Sequence, residues 1–331
     1  MHALHPQRPC RLRWLAAAVA LLALLPLLAT AQVDGSAPAP LRNVAPPVHK
    51  LADVPYGADR RQRLDVYLPA APAAPSAAGP TAPRSAAAPV LLMVHGGAWS
   101  MGDKAHGRVV EEKVARWVPR GWVVVSANYR LLPAADVLQQ ARDVASALAF
   151  VQRSAAQWGA DASRVVLMGH SAGAHLAALV STSPVHAQQA GAGPWLGTVA
   201  LDSAALDVPA LMQARHAAFY DGVFGADPAF WRAASPAHGL SEPPPPGATA
   251  SSQRAPVPFL LVCSSLRSDG ACRQADAMAR RLQAHGGRAE VLPQALSHGD
   301  INARLGLEGD YTRAVEAFLA SLDLALARHL P

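Results

Sequence analysis

The segment that most constrains this chain is Gly169-His170-Ser171-Ala172-Gly173, together with what flanks it. Arg164–Met168 (RVVLM) precedes it, an apolar run of buried-strand type. Ala172–Ser181 (AGAHLAALVS) follows it as a helix-forming stretch. A serine between small residues, at the point where a strand turns sharply into a helix, has a steric logic. The turn brings backbones close together and leaves no room for side chains on either side. It also lifts the hydroxyl above the sheet edge, near free helix N–H groups. A bare GxSxG is common as an ordinary turn, but here strand, motif and helix agree.

The rest of the chain repeats that strand-then-helix rhythm. Arg63–Leu68 alternates as a strand does. Pro89–Val94, Trp122–Ala127, Thr198–Leu201 and Phe259–Val262 are short apolar runs suited to strands buried on both faces. Helical patterns cover Val109–Val118, Ala135–Gln152, Arg273–Ala284 and Asp310–Arg328. Such alternation predicts an α/β fold with a mostly parallel central sheet of about eight strands, flanked by helices. The 331 residues are 51% hydrophobic, enough for one large core. Residues 70–89 and 241–256 are rich in Pro, Ala and Ser and read as surface loops, with 203–255 forming a small loop-rich cap.

The N-terminus has its own pattern. Arg8, Arg11 and Arg13 precede the apolar stretch Leu15–Thr30, which ends at Ala29-Thr30-Ala31. That order is expected of a signal peptide over 1–31, with export to the periplasm or medium; an uncleaved anchor is the alternative. A Pro/Ala leader over 32–48 and a catalytic domain over 49–331 would follow. Cleavage removes three Arg and no acid, so the net charge falls from +6 to +3. The basic residues are scattered, so no nucleic-acid partner is expected. No stable membrane association is expected after cleavage. The three cysteines form no metal-ligand cluster, and neither a metal nor a cofactor is called for. Cys10 would leave with the signal, and Cys263 and Cys272 would remain as an even pair in an oxidising compartment. They would either bond or stand as one buried and one exposed thiol.

Three further segments bear on chemistry. His95-Gly96-Gly97-Ala98-Trp99 directly follows Pro89–Val94. Its glycine N–H groups, with that of Ala172, suit an oxyanion hole, while His95 suits holding the loop. Leu296-Ser297-His298-Gly299-Asp300 follows the last apolar stretch, Ala289–Leu292. His298 there suits a general base better than His175 or His285. A carboxylate to orient it is expected after Phe259–Val262. Asp269 fits that place, with Asp276 inside the next helix and Asp300 close beside the histidine itself. Cys263 and Cys272 flank Asp269, so a bridge would staple the loop that carries it.

Taken in order, HGGAW, SMGDK, NYR, GHSAGAH, a late Asp and SHGDIN resemble an α/β hydrolase of the carboxylesterase type. The branch includes bacterial carboxyl, acetylxylan and feruloyl esterases and kynurenine-formamidase-like hydrolases. The resemblance covers about residues 50 to 328. It implies the α/β-hydrolase fold, with Ser171 as nucleophile, His298 as base, Asp269 as acid, and Gly96, Gly97 and Ala172 as oxyanion donors. It implies structural roles for Tyr129, Arg130 and Asp143, loop-holding roles for Asp103 and Lys104, and a place for Trp99 beside the oxyanion loop. Ala98 stands where hormone-sensitive-lipase-like relatives have a third glycine, and His170 where they have an acid. The expected activity is hydrolysis of a small-molecule ester with a short acyl or aryl group. An arylformamidase- or peptidase-like amide hydrolase and an inactive binding protein are the alternatives.

Overall fold

The structure is a computed structural model that describes residues 48–69, 87–240 and 255–331. The signal segment 1–31, nearly all of the 32–48 leader, most of the 70–89 insert and the end of the 203–255 cap lie outside the described residues.

Eight strands form one sheet in the order β1-β2-β4-β3-β5-β6-β7-β8. They are β1 (His49–Pro55), β2 (Arg63–Leu68), β3 (Ala88–Val94), β4 (Val123–Ala127), β5 (Ala160–His170), β6 (Gly197–Leu201), β7 (Phe259–Ser264) and β8 (Ala289–Gln294). Among the described residues, the pairs of β2 with β1 and with β4 are antiparallel, and every pair from β4 to β8 is parallel. β3, β4, β6 and β7 are buried almost throughout, which is why they read as unbroken apolar runs. β1 has a largely exposed, non-alternating pattern and gives no such signal.

The helices in chain order are α1 (Gly107–Trp117), α2 (Val137–Ser154), α3 (Ala172–Thr182), α4 (Pro184–Gln189), α5 (Val208–Gln213) and α6 (Phe219–Phe224). Then come α7 (Pro228–Ala233), α8 (Pro236–Gly239), α9 (Ala271–Ala284), α10 (His298–Ala303), α11 (Asp310–Ala320) and α12 (Leu324–Ala327). α2 starts on a capping box, in which Asp136 accepts from the Gln139 N–H and the Gln139 side chain returns to the Asp136 N–H. One apolar cluster joins α2 and α3 to one sheet face through residues such as Leu148, Leu176 and Val180. A second packs α1 and α11 on the other face through Trp117, Trp122 and Phe318.

Two sequence expectations change. The pattern over Asp310–Arg328 is two helices, with Ser321, Leu322 and Asp323 between them and Asp323 capping the second. The cap is helical rather than loop-rich in its described part, made of α5 to α8. Three of these four carry Pro in the first turn. Proline there loses no hydrogen bond and presets φ, so a Pro-rich composition conceals helix starts.

Candidate active site

The parallel strands end together at one edge of the sheet, and the site is assembled there. Ser171 follows β5 with φ 57° and ψ −118°, a backbone conformation that an L-residue adopts only when its surroundings enforce it. Its N–H donates to the Leu201 carbonyl at the end of β6, 2.9 Å away. The flanking glycines explain the motif. A Cβ on Gly169 would lie 2.2 Å from the Gly173 carbonyl oxygen, and one on Gly173 would lie 2.2 Å from that of Val94. Both are backbone contacts that cannot move aside without opening the turn.

His298 opens α10, where Ser297 caps the helix by accepting from the Asp300 N–H. Its Nε2 lies 3.0 Å from Ser171 Oγ, and its Nδ1 lies 2.6 Å from Asp202 Oδ2. Thus the carboxylate on His298 belongs to Asp202, not to Asp269. Asp202 directly follows β6, and β6 lies between β5 and β7 in the sheet. A residue one step past Leu201 is therefore level with Ser171. Asp202 also has a positive φ, 57°, and is fully buried. Its N–H donates to the Val262 carbonyl, and its Oδ1 accepts from the Ser264 N–H at 2.8 Å. Burial pushes its pKa up, but hydrogen bonds from His298 and Ser264, with the Arg267 charge, outweigh this and hold it below the usual carboxylate range.

Asp269 lies on the rim and bonds both Nε and Nη2 of Arg267 rather than the imidazole. Asp300 interacts with Ser297 and Arg108, and takes part in capping α10. Cys263 and Cys272 are disulfide-bonded, closing the loop that carries both Arg267 and Asp269. The sequence contained the signal for Asp202: an acid immediately after the apolar run Thr198–Leu201. An expectation tied to the later strand passed over it.

The loop after β3, the candidate oxyanion loop, is tightly folded. Gly97, Ala98 and Trp99 all have positive φ, at 125°, 48° and 58°. A Cβ on Gly96 would lie 2.9 Å from that of Ser171, so only glycine lets the loop approach Ser171 this closely. No hydrogen bond among the described residues uses the N–H of Gly96, Gly97, Ala98 or Ala172. Trp99 is buried, and its carbonyl accepts from Gln140 Nε2 and from the Leu132 N–H. Its indole N–H donates to His175 Nδ1, and its ring packs against Phe224 of α6.

The remaining histidines of the motifs are framework. His95 stacks on Tyr129 and bonds the Gly96 carbonyl; burial pushes its pKa down to about 4. His175 donates to the Ala234 carbonyl and burial likewise takes it to about 4. His170 lies against the His298 ring and donates to the His298 carbonyl, with burial and the neighbouring imidazole lowering it to about 3. His285 bonds the Arg281 carbonyl at the end of α9, away from the serine. Arg130 grips Asp143 through two nitrogens, while Lys104 joins Asp53 and Asp65. Beside the oxyanion loop a pocket of about 350 Å³ is lined by Ala98, Ser100, Leu132, Pro133, Phe219, Gly222 and Val223. Among the described residues no group of three or more His, Cys, Asp or Glu is placed to hold a metal ion.

A serine hydroxyl, an imidazole, a buried carboxylate and convergent N–H groups at the ends of parallel strands can perform nucleophilic acyl transfer. The fold is that of the α/β hydrolases, and the comparisons agree with it. Residues 79–201 match the BD-FAE family model. A probable isoprenylcysteine alpha-carbonyl methylesterase of Oryza sativa subsp. japonica is 36% identical over 128 residues, 39% of this chain and 27% of the relative. Esterase LipQ of Mycobacterium tuberculosis is 35% identical over 133 residues, 40% of this chain and 29% of that one. The chain therefore spans less than a third of the length of these curated relatives. Among solved structures, Thermogutta terrifontis esterase 2 superposes with a TM-score of 0.62 at 19% identity, covering 84% of this chain and 95% of the other. Esterase B from Lactobacillus rhamnosis gives 0.61 at 22%, covering 85% and 87%.

Proposed function

We propose that this chain is a serine carboxylesterase that cleaves small esters carrying a short acyl or aryl group. Ser171 attacks the ester carbonyl while His298 Nε2 takes its proton, and Asp202 fixes the imidazole tautomer and stabilises its cation. N–H groups of Gly96, Gly97 and the adjoining Ala98, with that of Ala172, receive the oxyanion. His298 then protonates the departing alcohol, and water releases the acid from Ser171 by the same route in reverse. The observation that carries this reading is the unbroken relay of 3.0 Å and 2.6 Å from Ser171 Oγ through His298 to Asp202.

The small apolar pocket beside the oxyanion loop, with Phe219 on its wall, supports short or aromatic acyl groups over long chains. The names of the similar proteins, esterases and methylesterases, support ester over amide hydrolysis. Export is part of the proposal, supported by the N-terminal pattern and by the disulfide, which suits an oxidising compartment. The test is steady-state turnover of p-nitrophenyl acetate, butyrate and laurate by the mature protein and by Ser171→Ala. Hydrolysis of the two short esters that falls at least about 10³-fold in the variant is expected. Equal rates in the two proteins would overturn the reading.

A further inference from the structure

We infer that Arg267 is a positioning residue of the triad: tethered by Asp269, it holds Asp202 and keeps a positive charge beside His298 that disfavours the imidazolium. The inference rests on the serine-hydrolase reading above. It begins from an unusual sharing of one oxygen. Asp202 Oδ2 lies 2.6 Å from His298 Nδ1 and 3.0 Å from Arg267 Nη1, and the two nitrogens are 2.9 Å apart. When His298 Nδ1 carries its proton toward Asp202, both nitrogens are donors converging on the same acceptor. Arg267 Nη1 also donates to the Asp202 carbonyl at 3.1 Å, so it grips both the side chain and the backbone of the strained residue.

The other edge of the guanidinium is occupied by Asp269, which accepts from Nε at 3.0 Å and from Nη2. Asp269 is thus the tether of a cation whose far end enters the triad. The disulfide from Cys263 to Cys272 fixes both ends of the loop on which the pair stands.

The consequence is electrostatic. Catalysis needs neutral His298 at the start and the imidazolium after it takes the serine proton. Asp202 favours the imidazolium, while a guanidinium at this distance opposes it. Removing the Arg267 charge leaves Asp202 to act alone, so His298 becomes more basic. The acid limb of kcat/KM then moves to higher pH, because His298 must be neutral to act as base.

The other groups facing His298, Tyr220 apart, have partners other than Arg267. His170 at the end of β5 lies against the ring, and burial keeps it neutral. From α1 come Arg108, bonded to Asp300, and Lys113, bonded to Asn302 of α10. Tyr311 of α11 bonds the Ile301 carbonyl, and Tyr220 approaches Arg267 from the cap. Burial lowers Lys113 to about 7, so a second titration falls near neutrality, and His298 must be followed directly.

The experiment is an NMR titration of the His298 imidazole in the disulfide-intact protein, beside kcat/KM for p-nitrophenyl butyrate against pH. The variants are Arg267→Met, Arg267→Gln and Arg267→Lys. Met and Gln are expected to raise the His298 midpoint and the kinetic acid limb together by roughly one pH unit, a tenfold loss of kcat/KM below the limb. Lys keeps the charge and is expected to restore the wild-type midpoint. Gln matching wild type while Met does not would make Arg267 a hydrogen-bonding strut only, and overturn the inference. So would an unmoved midpoint in both Met and Gln. If Met fails to fold, the contrast of Gln with Lys decides. Wild-type protein without turnover but with the shifted midpoint would remove the esterase reading and leave the electrostatic role of Arg267 standing.

Discussion

Asp202 and Asp269 are two carboxylates within reach of one arginine, yet their surroundings assign them different work. Asp202 is fully buried, held at a positive φ, and bonded to the imidazole. Asp269 is nearly half exposed and bonded only to Arg267. Asp202→Asn is expected to lower kcat for p-nitrophenyl butyrate by roughly 10³–10⁴-fold, since the amide no longer fixes the tautomer or stabilises the cation. Asp269→Asn is expected to stay within about threefold, because Asp269 bonds Arg267 rather than the imidazole and the amide oxygen can still accept from Arg267 Nε. Steady-state kinetics on the two variants check this, and the reverse ranking would restore Asp269 to the triad. The places of Ser171, His298, Gly96 and Gly97 in the site were legible because each sits in a short motif whose residue types follow from sterics. The acid was not, because a single Asp has no motif. Its place depends on which strand end lies level with Ser171, a property of sheet order rather than of neighbouring residues.

Among the elements, strands buried on both faces read as apolar runs and the helices α1, α2 and α9 as periodic ones, while α3, buried on every side, is legible from the motif it follows. The edge strand β1 and the short cap helices give no such signal. β1 exposes most of its side chains, so no buried face imprints on its sequence. The cap helices are four to six residues long, below the length at which a 3.6-residue period becomes visible. The loop from Cys263 to Cys272 is closed by a covalent bridge. Its closure by a bridge across nine positions contributes about 2–3 kcal/mol in chain-entropy terms. The double variant Cys263→Ser, Cys272→Ser is accordingly expected to lose about that much in urea unfolding. An unchanged midpoint would show that packing of β7 and α9 holds the loop without the bridge.

Among the described residues, His95, His170 and His175 are buried, and burial favours their neutral state. His95 and His175 are lowered to about 4 and His170 to about 3, in each case from 6.5 with burial as the main cause. Below 6.5 the unfolded chain therefore binds protons that the folded chain does not, and the folded state loses stability as the pH falls from 6.5 toward about 4. Three such groups give a limiting slope of about 4 kcal/mol per pH unit. Unfolding followed from pH 7 to pH 4.5 is expected to show a steep decline with net proton uptake. A flat profile would mean that these histidines are hydrated or protonated in the native state.

In the proposed reaction Ser171 is the nucleophile of an acyl transfer driven by His298 and Asp202. The most direct measurement is peptide mass spectrometry after treating the protein with a p-nitrophenyl alkylphosphonate. One stoichiometric adduct is expected, located on Ser171, absent from Ser171→Ala and formed far more slowly by His298→Gln. No adduct on Ser171, or one formed equally well without His298, would contradict it.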